Sequence, residues 1–490
     1  MGRFRPALLP PLMLFDTPVY IAFLTLVVVI YWRLTRRAQN VFLLAASYFF
    51  YAWWDWRFLG LILISTIVDY YCAHIVDRSD DAMRRKAALV LSVTLNLGFL
   101  GVFKYYNFFI DSFAGLLDTL GITVSHSTLR ILLPPGISFY TFQALAYIVD
   151  VYYRRMKPAT SLVDYSLFIS LFPHLIAGPI QRPSHLLPQV QQERRFDSVR
   201  FFDGLQLIVS GLFRKVVVAN NCALLADAAF NGRLGEPNVA VVAIGVYAFA
   251  WQIYGDFSGY SDMARGSAQL MGFHFMVNFR QPYLAQSLQD FWRRWHISLS
   301  TWLRDYLYIS LGGSHHGERK THRNLMLTML IGGLWHGANW TFVVWGGIHG
   351  VGLSIERFFR RVFSGRHVGD EGTGRLAIAS PAAWLRRVFV FHLVCLSWIF
   401  FRATSIGDAF TFLGGVGRVS WIPEYATACI FLVAFTLPML CIDLLNERRA
   451  EEYVMERSNP MARVAIALTL LVAVFFFAGG STNAFIYFQF

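Results

Sequence analysis

The sequence predicts an all-α, polytopic membrane protein built as one large domain, and three observations predict it. The 490 residues are 56% hydrophobic and only 15% charged, against roughly 25% charged residues in a soluble domain. Apolar runs recur along nearly the whole length. The basic residues gather at the ends of those runs and alternate from side to side through residue 157, as the positive-inside rule requires.

Taken in order, residues 1–12 read as an N-terminal leader and 13–490 as a single transmembrane domain. Arg3 and Arg5 ahead of an apolar stretch resemble a signal peptide, but no small-residue cleavage site follows, so the first apolar segment is expected to stay as an uncleaved span. Candidate spans are Pro18–Trp32, Val41–Trp54, Leu59–Val76, Ala87–Phe103, Leu129–Tyr152, Leu162–Ile176, Phe202–Ala219 and Val239–Tyr254. Further along they are Leu325–Trp335, Trp340–Ile355, Ala383–Phe401, Ala426–Leu445 and Ala462–Phe477. Several fall short of the ~20 residues a full crossing needs, and short pieces survive in a bilayer only where protein or water surrounds them; the expectation is about eleven spans plus re-entrant or interfacial pieces near two unusual histidines. Arg33–Asn40, Asp77–Lys86 and Tyr152–Lys157 are read as cytoplasmic loops, with Asp55-Trp56-Arg57 and Lys104–Arg130 on the other side. Beyond that the alternation fails: Arg182, Arg194, Arg195, Arg200, Arg214 and Lys215 crowd together, as do Arg293, Arg294, Arg304, Arg319, Lys320 and Arg323. Within this section Gln286–Ile309 carries apolar and aromatic residues at three- and four-residue spacing and reads as an amphipathic interfacial helix. The longest polar stretches, near 183–200 and 364–380, are too short to fold alone.

The net charge of +13 follows from 43 basic and 30 acidic residues. It is accounted for by positive-inside loops, and no basic run interleaved with aromatics suggests a nucleic-acid groove, so nucleic acid is not an expected partner while membrane lipid is. Cys72, Cys222, Cys395, Cys429 and Cys441 lie in or beside apolar segments without CxxC spacing, which argues against a disulfide framework or a zinc site. There is no Walker A loop and no dinucleotide fingerprint, and Gly255-Asp256-Phe257-Ser258-Gly259 misses the GxSxG nucleophile elbow by one position.

The residue with the most chemical content is His336, in Leu334-Trp335-His336-Gly337-Ala338-Asn339-Trp340, between two apolar runs. An ionisable group at that depth is costly in hydrocarbon and marks function unless it is tied up structurally. A neutral imidazole there can take a proton from a hydroxyl, with Trp335 and Trp340 excluding water and Asn339 orienting a ring or a carbonyl. His296, in Phe291-Trp292-Arg293-Arg294-Trp295-His296, is either a second such group or an interfacial ring among tryptophans. His349 reads as structural. His315, His316 and His322 with Glu318 form a loop cluster that lacks HExxH spacing, and no metal is expected. Gly255–Arg265, with Asp256, Ser258, Asp262 and Arg265, reads either as a helix broken inside the membrane whose ends bind a polar group, or as an Asp–Arg pair at a helix junction.

These segments resemble the membrane-bound O-acyltransferase family, and within it the bacterial branch of alginate O-acetyltransferase membrane subunits. The blocks that carry the resemblance are 134–143 (PPGISFYTFQ), 178–183 (GPIQRP), 256–263, 278–283 (NFRQPY), 291–309, 332–340 and the terminal 485–490 (FIYFQF). It implies helices around a central tunnel, an acyl donor on the cytoplasmic side and an acceptor reached from the far side of the bacterial inner membrane. It places the family's histidine on His336 and its second histidine on His296, both as catalytic residues. Gln181, Asp256, Ser258, Arg304, Asp305, Trp335 and Asn339 are expected to contact substrate. No bound cofactor is expected. Acetyl-CoA is the expected donor, its phosphates met by cations such as Arg304 and Arg323. A periplasmic SGNH-type acetyltransferase and a polysaccharide assembly complex are the expected partners. The alternatives are acyl transfer to another envelope polymer (peptidoglycan, cellulose or teichoic acid) or a proton-coupled transporter or flippase. Against the transporter stands the absence of an internal two-fold repeat.

Overall fold

The computed structural model describes residues 13–490 apart from 125–127, 130–131, 177, 365–379, 454–455, 457, 479–485 and 487–490. The leader 1–12, most of the terminal block 485–490 and most of the polar stretch 364–380 therefore lie outside the described residues. Those described are helical, with no strand among them. They divide into two compact units, Met1–Ile208 with Met263–Met276, and Val209–Asp262 with Val277–Phe490.

Seven helical runs among the described residues are long and apolar enough to cross a membrane: Arg36–Arg78, Ala82–Thr119, Ser198–Phe230, Val239–Leu270, Pro381–Arg402, Pro423–Arg449 and Pro460–Phe477. The protein is thus multi-pass, with fewer such runs than the eleven expected. Part of the difference lies in segments that are broken where an unbroken span was expected. Regular helix in Leu129–Tyr152 starts only at Ile137, after Gly136 in a left-handed conformation (φ 76°). Leu162–Ile176 is two pieces, Leu162–Ser170 and Phe172–Leu175, parted at Leu171 ahead of Pro173. Nine helical residues rise about 14 Å, less than half of a bilayer's hydrocarbon thickness. The loop expected at Lys104–Arg130 starts later, because the helix continues through a π turn to Thr119.

In the first unit the opening helix, Pro18–Tyr31, is stitched to the end of Val239–Leu270. Tyr20 Oη donates to Ser267 Oγ (2.8 Å), Tyr31 Oη to the Met271 carbonyl (2.8 Å) and Trp32 Nε1 to the Leu270 carbonyl (2.9 Å). Buried Asp69 accepts from Ser92, Asn96 and Ser65, so a polar group inside an apolar helix layer is fully satisfied.

In the second unit Glu318–His336 and Trp340–Ser364 form an antiparallel hairpin. The two backbones approach so closely that a Cβ on Gly346 would stand 2.2 Å from the Met329 carbonyl oxygen, which only glycine tolerates. The Val239–Leu270 helix runs unbroken through Gly255–Arg265, which corrects the expectation of a helix broken there. Its carboxylates do not cap helix ends. They pair with the π turn Phe213–Ala219: Asp262 with Arg214 (3.3 Å) and Asp256 with Lys215 (2.7 Å). The glycines serve contact rather than breakage; a Cβ on Gly259 would lie 2.7 Å from the Gly211 carbonyl oxygen.

Candidate active site

Both candidate histidines sit in the second unit, each at a point where a helix stops. His336 is the last residue of its helix, and the chain leaves at Gly337 with an extended backbone. Asn339 then starts the next helix: its Oδ1 accepts from Thr341 N–H (3.0 Å) and its Nδ2 donates to the Thr404 carbonyl (3.0 Å).

His296 corrects the reading of Gln286–Ile309 as one amphipathic helix. The segment is Leu288–Arg294, then Ile297–Trp302, then a π turn Leu303–Tyr308, and His296 itself is left-handed (φ 43°, ψ 53°). For a non-glycine residue that backbone is disfavoured by about 1 kcal/mol or more, so neighbouring bonds must hold it. Residues 278–280 provide them. Arg280 N–H donates to the Arg294 carbonyl and Ile297 N–H to the Asn278 carbonyl, both at 2.9 Å. Asn278 Oδ1 accepts from Ser298 N–H (3.2 Å) and Ser298 Oγ (2.9 Å) and lies 3.1 Å from His296 Nδ1. Asn278 Nδ2 donates to Ser261 Oγ (3.0 Å) on the long helix.

The ring centroids of the two imidazoles lie 6.3 Å apart, with the ring planes tilted by 57°. His336 is 3% exposed and His296 fully buried. Aromatic rings wall them in. Phe257 meets His296 edge-on at 4.6 Å, Trp335 lies 5.9 Å from His296 and 5.0 Å from His336, and Trp345 and Phe401 meet His336 at 5.1 and 5.4 Å. A hydrogen-bonded pair of imidazoles has its ring centroids roughly 5 Å apart, so at 6.3 Å the two rings do not bond to each other directly. Burial pushes His296 down from 6.5 to about 3, so this ring is neutral at any physiological pH.

The other sequence-derived residues fall in several places. Trp335 belongs to the histidine cluster. Asp256 precedes Phe257, but its carboxylate is taken by Lys215 and by the backbone N–H of Ile486 (2.7 Å). Ser258 is fully buried one residue further on. Asn339 lies at the hairpin turn, its side chain taken by Thr341 N–H and the Thr404 carbonyl. Arg304 and Asp305 bond to each other (2.7 Å) with Arg304 largely exposed. Gln181 belongs to the first unit, where its Nε2 donates to the Pro179 carbonyl and its Oε1 receives Met276 N–H. His349 Nε2 lies 3.0 Å from Ser397 Oγ. Glu318 binds Arg357 and Arg361, and the Arg357 guanidinium holds its carboxyl below the usual range. His322 lies 3.7 Å from the same carboxylate, and no group of three or more His, Cys, Asp or Glu among the described residues is placed to hold a metal ion.

The model of the membrane-bound O-acyltransferase family matches residues 157–401, half of the chain, including both histidines and Asn278. A protein of Azotobacter vinelandii named as a probable alginate O-acetylase is 44% identical over 405 residues, which is 81% of this chain and 76% of that protein. The chain belongs to the membrane-bound O-acyltransferase family. A peptidoglycan O-acetyltransferase of Helicobacter pylori is 36% identical over 439 residues, 82% of this chain and 80% of its own. A teichoic acid D-alanyltransferase of Streptococcus thermophilus is 29% identical over 267 residues, 51% and 63% of the two chains. As a membrane-bound O-acyltransferase the protein is a multi-pass membrane enzyme. Reading the sequence missed Asn278 as a site residue, although it opens one of the blocks that carry the family resemblance.

Proposed function

We propose that this acyltransferase is a membrane O-acetyltransferase that takes an acetyl group from cytoplasmic acetyl-CoA and delivers it across the bacterial inner membrane for O-acetylation of an exopolysaccharide of the alginate type. The 44% identity to an alginate O-acetylase over four-fifths of the chain supports the polymer, and the peptidoglycan O-acetyltransferase relative supports acetyl as the group moved. The observation that carries the chemistry is the buried His296–His336 pair, 6.3 Å apart within an aromatic wall.

In this reading His336 is the general base. As the acceptor hydroxyl attacks the thioester carbonyl, its proton passes to His336, a carbon–oxygen bond forms, the carbon–sulfur bond breaks, and the proton returns to the departing thiolate. His296, held neutral, binds a polar group beside the reacting centre. Exposed cations of the second unit, Arg304 and Arg323, meet the phosphates of the donor. A hydroxyl of a periplasmic SGNH-type partner within the polysaccharide assembly complex then attacks the acetyl ester formed at the far face, a new ester bond forming on the partner as the first acceptor alcohol is released with the hydroxyl's proton. The test is thioester cleavage by the full chain in detergent. Supplied with acetyl-CoA and uronate oligosaccharides or the partner, it is expected to release free thiol in step with new acetyl ester. Intact acetyl-CoA under those conditions overturns the proposal.

A further inference from the structure

The side chain of Asn278 can be oriented without ambiguity. A backbone N–H only donates, so the atom facing Ser298 N–H at 3.2 Å is the amide oxygen. The amide nitrogen then points at Ser261 Oγ, 3.0 Å away. The same oxygen receives Ser298 Oγ at 2.9 Å and stands 3.1 Å from His296 Nδ1. Two bare acceptors do not sit at that distance, so Nδ1 carries the hydrogen. A neutral imidazole has one N–H, which leaves Nε2 as a bare lone pair directed away from Asn278.

We infer that Asn278 is a positioning residue of the acyl-transfer site: it locks His296 in the Nδ1–H form, so that His296 presents a lone pair and binds a hydrogen-bearing group of the substrate rather than the thioester oxygen. This rests on the acyl-transfer reading and sharpens it. A thioester offers only acceptors, its carbonyl oxygen and its sulfur, and has nothing to give a lone pair. Two parts of the reacting pair do carry a hydrogen: a second hydroxyl of a polyol acceptor, next to the one that reacts at His336, and an amide N–H of the donor's pantetheine arm. Because burial keeps His296 from taking up a proton, its lone pair orients such a group instead of deprotonating it. Three bonds to one amide oxygen, the Ile297 bond to the Asn278 carbonyl and the left-handed backbone at His296 all fix the same ring in the same pose.

The test uses the full-length protein with 15N-labelled histidine. The wild type is expected to show His296 as the Nδ1–H form, and an Nε2–H form overturns the inference. In Asn278→Leu the ring loses its acceptor and is expected to leave the single Nδ1–H form, with a fall in turnover of about tenfold or more, as expected when a histidine adopts the wrong tautomer. A rise in KM for the hydroxyl acceptor alone assigns the lone pair to a second hydroxyl; a rise in KM for acetyl-CoA alone assigns it to the amide. A folded Asn278→Leu protein with unchanged tautomer and unchanged KM for both substrates overturns the inference. Asn278→Asp keeps the acceptor and adds a negative charge, which favours the protonated ring. Its nitrogen shifts should therefore report a second proton at a pH at least about one unit higher than in the wild type, so the neutral form is lost sooner as pH falls. If the tautomer results hold while the wild-type protein leaves acetyl-CoA intact, the role of Asn278 on His296 stands and the acyl-transfer reading fails.

Discussion

His336→Ala is expected to lower acetyl transfer by about 10²-fold or more, the usual loss when a positioned general base is removed, while the protein still inserts and folds. The ring touches Trp335, Trp345 and Phe401 and sits at the end of its helix, so truncation leaves a small void beside an intact helix rather than breaking one. His336→Gln, which keeps most of the volume without the basic nitrogen, should be as inactive as the alanine variant and closer to wild type in thermal stability. Acetyl content of the exported polysaccharide and size-exclusion behaviour of the purified variants read the two effects separately. Normal acetylation by a well-folded His336→Ala protein would contradict the assignment.

Lys215→Met is expected to destabilise the protein by about 3–5 kcal/mol, the cost of leaving one member of a buried ion pair behind. Lys215 is 1% exposed and Asp256 2%, with Nζ 2.7 Å from Oδ1. The second carboxylate oxygen of Asp256 accepts from Ile486 N–H, so losing the lysine also strains the anchor of the chain's last described residue. Adding Asp256→Asn removes the orphaned charge and keeps an acceptor for Ile486, and the double variant should recover most of the loss. Thermal unfolding in detergent measures both. A single variant as stable as the wild type would mean that the pair contributes nothing to the fold.

Composition and the spacing of apolar runs were enough to read an all-helical, multi-pass protein, because the bilayer forces long apolar helices on any chain that crosses it. They were not enough to place the breaks. Gly255, Gly259 and two carboxylates look like a helix interrupted in the membrane, yet the partners that keep that helix whole, Arg214 and Lys215, lie about forty residues earlier. Gln286–Ile309 has a helical period, yet it is interrupted at His296 by Asn278, eighteen residues away, and no local pattern encodes that bond. The histidines were legible for a plainer reason: an imidazole between apolar runs stands out one residue at a time. Their proximity was not, since forty residues and several chain reversals separate them, and only the fold brings the rings to 6.3 Å. Asp256 and Gln181 show the converse: both are buried polar residues in distinctive blocks, and both spend their side chains on neighbouring backbone or an ion pair.

The most direct measurement is a structure of the full-length protein holding a thioether analogue of acetyl-CoA that cannot transfer its acyl group. The carbonyl carbon is predicted to rest within about 4 Å of a ring nitrogen of His336, near attack distance for a hydroxyl bound beside it. An analogue bound with its acyl end remote from both His336 and His296 would contradict the account.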